Sequence, residues 1–83
     1  MDNLEYKDMK SSVTLTNHQW NSLVCYILMT TQYRKQESEG WQELSEEMDE
    51  NGQPKYPYAK SNAEFYREVD HTLNEIKNAI DNR

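Results

Sequence analysis

The sequence predicts an all-α fold, an antiparallel helical hairpin, and three observations carry that prediction. The eighteen residues from Thr16 to Tyr33 contain no Asp, Glu, Lys or Arg in a chain that is 29% charged, and they centre on the unbroken apolar run Leu23 to Met29. Apolar side chains recur at helical spacing twice: Trp20, Leu23, Val24 and Ile27 early in the chain, and Phe65, Val69, Leu73, Ile76 and Ile80 late in it. Between them the stretch 51–60, NGQPKYPYAK, holds both prolines and has the composition of an ordered connector. At 83 residues the chain is expected to form a single small helical domain, too small to be comfortably stable alone.

Taken in order, residues 1–12 mix charge with isolated apolar side chains and predict a flexible or loosely docked arm, with Leu4, Tyr6 and Met9 as its docking points. Val13 and Leu15 alternate with Thr14 and Thr16, which permits a short extended segment. Thr16 and Gln19 then form a T-x-x-Q capping box, in which each side chain satisfies a backbone N–H left free at a helix start. Leu15 and Trp20 are spaced for the accompanying hydrophobic staple. Tyr26, Met29 and Tyr33 add a second apolar surface to this helix, and a helix apolar most of the way round is expected to be buried. Trp41, Leu44 and Met48 continue the helical spacing, so the first helix either ends near Glu39 with Gly40 as its C-cap or, the preferred reading, runs to about Glu50 with a bend at Gly40 tolerated. Trp20, Ile27, Trp41 and Met48 share one seven-residue phase in which Arg34 is the exception. Asn51-Gly52 ends the helix, and a second capping box, Ser61 with Glu64, opens a last helix over 62–81.

Composition narrows the function. A net charge of −6 and a pI near 4.8 disfavour direct nucleic-acid binding and anionic membranes. The longest apolar run, seven residues, is too short for a membrane span, and a basic leader is missing, so a cytoplasmic protein is expected. Cys25 is the only cysteine and has no partner for an intramolecular disulfide. As a small hydrophobe it is expected to be buried. His18 and Cys25 stand two helical turns apart, too far for a nucleophile pair, and they lack the further ligands that zinc needs. Glu68 and His71 match half of a di-iron Glu-x-x-His set, but the apolar stripe of their helix is centred opposite His71. No catalytic residue, metal site or cofactor is therefore predicted, and the chain is not expected to be an enzyme.

Two features point to partners. Residues 36–50 hold seven acids and no base, whereas the rest of the chain balances eight acids against nine bases. Glu39, Glu43, Glu46, Glu47 and Glu50 make this block a candidate mimic of nucleic-acid charge, or simply a solvated helix face. Trp20, Phe65 and Tyr66 are expected in the core, while Trp41, Tyr56 and Tyr58 form a candidate contact patch for an unidentified protein. Tyr26, Met29 and Tyr33 are the candidate self-association residues, because a hairpin buries one stripe per helix and the first helix has two. These observations predict a non-catalytic protein–protein interaction module or small accessory protein, homodimeric, in a four-helix arrangement. The alternative is an acidic inhibitor of a DNA- or RNA-binding protein. In size and composition, though in no diagnostic motif, the chain is similar to the small acidic proteins of bacterial phages and mobile elements.

Overall fold

The computed structural model describes residues 5–83. A single 3-10 turn, Tyr6–Asp8, is followed by α1 (Asn17–Met29), α2 (Thr31–Ser45) and α3 (Ala59–Asp81), and no strand occurs among the described residues. The all-α prediction holds. Leu4 lies outside the described residues; Tyr6 and Met9 are exposed, and residues 13–16 form no regular element.

The start of α1 follows from its sequence. The Gln19 backbone N–H donates to Thr16 Oγ1 at 3.1 Å, and the Thr16 N–H donates to Gln19 Oε1 at 2.8 Å, which completes the capping box. α1 and α2 are two parts of one bent rod. Thr30 joins them at φ −99°, ψ 5°, and backbone bonds from Thr30 to Tyr26 and from Arg34 to Thr30, both 3.1 Å, span the join. The helix thus continues through Gly40, and the bend lies at Thr30 rather than at the glycine, where the sequence allows one. Its cause is local competition: the Thr30 hydroxyl donates to the Tyr26 carbonyl at 2.8 Å, and the Thr31 hydroxyl to the Ile27 carbonyl at 3.1 Å. Hydroxyls that bond back in this way weaken the ladder and bend helices. Gly40 sits inside α2 with no positive φ.

The rod ends at Ser45, short of the expected Glu50, so Met48 falls in the connector and is exposed. Asp49 is the reason. Its carboxylate accepts from the N–H groups of Asn51 (2.8 Å) and Gln53 (3.0 Å), while Gly52 supplies the left-handed turn at φ 77°. A bridge between Met48 and Pro54, with Lys55 N–H on the Glu47 carbonyl at 2.9 Å, closes the connector on itself. α3 starts earlier than expected, at Ala59, and the Ser61–Glu64 box does not form; the N-cap is Tyr58, without a side-chain bond. Ala59 and Ala63 are both fully buried, and the helix extends back far enough to bury them.

α3 packs antiparallel against the bent rod. Trp41 meets Tyr58 at one end with ring centroids 5.9 Å apart, and Arg83 lies 5.8 Å over the Trp20 ring at the other, with Nη1 3.3 Å from Asn17 Oδ1. The inner seam of α3 is Ala59, Ala63, Tyr66, Asp70, Leu73, Lys77 and Ile80, spaced alternately by four and three residues, and all are buried or half-buried. Trp20, Val24, Ile27, Arg34, Ser38 and Trp41 answer it on α1 and α2. The predicted stripe of α3 is thus divided. Leu73 and Ile80 face the rod, whereas Phe65, expected in the core, is 60% exposed.

Two rods have little to bury against each other. Among the described residues, Ile27, Ala59, Ala63 and Ile80 are the buried apolar ones. The expectation of a buried first helix fails within one chain, because Leu23, Tyr26, Leu28 and Met29 are exposed and Cys25 with them. The described chain measures 55 × 40 × 14 Å with a radius of gyration of 17.5 Å, against about 12 Å for a compact domain of this length.

Candidate interaction surface

One buried charge fixes how the two rods meet. Arg34, 4% exposed, donates from Nε to Asp70 Oδ1 at 2.7 Å and from Nη2 to the Ile27 carbonyl at 3.0 Å. It also reaches the hydroxyls of Thr30 and Thr31. A buried guanidinium requires such a set, since an unpaired charge away from water is costly. The side chain that breaks the apolar phase of the first helix is therefore a buried ionic lock between α2 and α3, close to the bend. The sequence signalled half of it: Arg34 interrupts the apolar phase of the first helix, whereas Asp70 is placed on the inner seam of α3 only by the packing.

The hairpin has two unlike faces. On one side, Gln42 accepts from Arg67 at 3.3 Å, and shallow grooves are lined by Ser38, Glu39, Gln42, Glu43 and Arg67, then by Thr31, Lys35 and Asp70. The other side is apolar. Tyr33 and Tyr66 stand edge to face with centroids 6.4 Å apart, and Phe65 meets Tyr66 at 5.5 Å, so aromatic rings run from α2 across to α3. Tyr66, by hydrogen bonding and charge, and then Glu37 push the Tyr33 phenol above its ordinary value. Next along α3 is an open groove of about 300 Å³ lined by Phe65, Glu68, Val69, Thr72 and Leu73, and beyond it another with Trp20, Ile76, Ala79 and Ile80, bordered by Arg83. At 100° per residue, Leu23, Tyr26 and Tyr33 project to this same side of the bent rod. Their neighbours on α3 are Phe65, Val69, Thr72 and Ile76, again spaced by four, three and four.

The predicted residues fall into separate places. Tyr26 and Tyr33 lie on the apolar face, whereas Met29, 79% exposed, lies on the edge of the rod away from α3. Trp41, Tyr56 and Tyr58 come together at the connector, the two tyrosines 6.3 Å apart, with Lys55 Nζ 5.6 Å from the Tyr56 ring. The acidic block does not form one helix face, because the helix stops at Ser45: Glu39 and Glu43 are on α2, Glu46 caps it, and Glu47 and Glu50 belong to the connector. His71 is exposed, 3.5 Å from Glu75, and among the described residues no cluster of His, Cys, Asp and Glu could hold a metal ion. Nor, among these residues, is any helix long and apolar enough to cross a membrane. No family model, curated protein or solved structure matches the chain.

Proposed function

We propose that this protein is a non-catalytic interaction module that works as a homodimer, two hairpins forming a four-helix arrangement. The observation that carries this reading is the unpartnered apolar side of the hairpin, where Tyr26, Tyr33 and Phe65 are each more than half exposed. Large contiguous apolar surfaces on small proteins are interaction sites or liabilities. Light scattering on a sizing column tests it. The expected mass is twice 9.9 kDa at both low and high salt, and a monomer at about 100 μM removes the homodimer.

In this reading the clustered Trp41, Tyr56 and Tyr58 remain outside the dimer as the contact patch for a further protein. A second reading, the acidic inhibitor of a nucleic-acid-binding protein, is favoured by one observation: none of the seven acids of residues 36–50 is in an ion pair among the described residues. That reading requires a basic partner whose affinity falls steeply from low to moderate salt. A partner held without salt dependence selects the first reading instead.

A further inference from the structure

From the geometry of the two rods we infer that the surface each chain presents to its second copy is the face built from Leu23, Tyr26, Tyr33, Phe65, Val69 and Ile76, and that the copies stack head to tail. This rests on the homodimer proposed above and specifies its interface.

Three arguments select a second copy as the occupant. The first is area. The chain exposes 7113 Å², whereas a compact monomer of its mass exposes about 5,200 Å². Even if half of the roughly 1,900 Å² difference belongs to the extended arm, the rest exceeds the roughly 800 Å² that each partner buries in a standard interface.

The second argument is periodicity. Each rod carries an outer seam beside its inner one, at four-and-three spacing on α3 and at spacings of three and seven (Leu23, Tyr26, Tyr33) on the bent rod, and both lie on the same side of the hairpin. Helices in a four-helix bundle need two adjacent seams of this kind, one for each neighbour. A single foreign helix would cover one groove, whereas a second hairpin covers both rods at once. A two-fold axis makes the surface its own complement.

The third is charge. The outer seams from Leu23 to Tyr33 and from Phe65 to Ile76 contain no ionised side chain, and two carboxylates border them: Glu37, whose charge acts on Tyr33, and Glu68 at the groove edge. The seven acids of residues 36–50 sit at the connector end of the hairpin. An axis perpendicular to the rods places the two acidic ends at opposite ends of the dimer. A parallel stack would bring fourteen carboxylates together, which like-charge repulsion opposes.

The test compares full-length variants by light scattering, with far-UV circular dichroism to verify helicity. Phe65 and Met29 are both exposed in the single chain, so neither Phe65→Glu nor Met29→Glu disturbs the hairpin core. Phe65→Glu is expected to halve the mass at unchanged helicity, and Met29→Glu to leave the dimer intact. Tyr26→Glu, on the other rod, repeats the first result and guards against an unforeseen fold effect at Phe65. A wild-type dimer that survives both Phe65→Glu and Tyr26→Glu, or that Met29→Glu alone dissociates, overturns the face while leaving self-association standing. A monomeric wild type overturns both. For the stacking direction, a spin label on Asn51→Cys in a Cys25→Ser chain reads the distance between connector tips. From Tyr33 to Ser45 is twelve residues, about 18 Å of helix, so head-to-tail stacking gives about 40 Å. A distance below about 20 Å, two helix layers, means parallel stacking and refutes the arrangement.

Discussion

The Arg34–Asp70 lock can be tested by a double-mutant cycle with Asp70→Ala, Arg34→Met and the pair of changes together. Arg34 is 4% exposed and its Nε is 2.7 Å from Asp70 Oδ1, while the Asp70 side chain keeps 36% of its surface in water. Unit charges about 4 Å apart attract by about 4 kcal/mol at an effective dielectric of 20, and the water at Asp70 reduces this to about 2 kcal/mol. A charge-assisted hydrogen bond is independently worth about 1.5–3 kcal/mol. Asp70→Ala should therefore destabilise by about 2–3 kcal/mol, because the guanidinium is left buried on neutral acceptors alone. Arg34→Met should cost less, about 1–2 kcal/mol. It fills the site with apolar volume and leaves Asp70 able to reach water, though the Ile27 carbonyl and two threonine hydroxyls lose a donor. The double variant should be scarcely worse than Arg34→Met, giving a coupling of about 2 kcal/mol. Urea unfolding followed at 222 nm, at one fixed protein concentration, measures all four corners of the cycle. If the single changes add to within about 0.5 kcal/mol, the two side chains do not act as a unit and the lock is refuted.

Other consequences follow from the same structure. Gly40 lies mid-helix with open space where a Cβ would stand, so Gly40→Ala should stabilise by about 0.5–1 kcal/mol, read as a higher urea midpoint. A loss instead would mean that the rod needs its glycine. Thr16→Ala removes one half of the capping box and should cost about 1 kcal/mol, with the fraying confined to α1 by amide exchange. Gly52→Ala forces a Cβ into a φ of 77° and should destabilise by about 1 kcal/mol without altering solution mass. Ile27→Ala empties the largest fully buried side-chain site and should cost about 3 kcal/mol, a large part of the stability of so small a domain.

What the sequence determined by itself is what depends on neighbours along the chain. The helical class, the Thr16–Gln19 capping box and the turn at Asn51-Gly52 each need only residues a few positions apart, and each is present. Arg34 stood out as the interruption of the first helix's apolar phase, but its partner Asp70 lies thirty-six residues away and nothing local marked it. Only the packing of α2 on α3 makes them one interaction. Where local signals competed with burial, tertiary structure decided. Ser61 and Glu64 could have capped a helix, yet its start lies before them, where Ala59 is fully buried. Gly40 was the cheapest place to bend, yet the rod bends where Thr30, Thr31 and Arg34 draw on the carbonyls of Tyr26 and Ile27. The same holds for the apolar surface. Sequence spacing gives α3 one broad stripe, but the position of the second rod determines which half of it is covered. Leu73 and Ile80 go inward and Phe65 outward, because a single neighbouring helix can cover only one seam of the stripe.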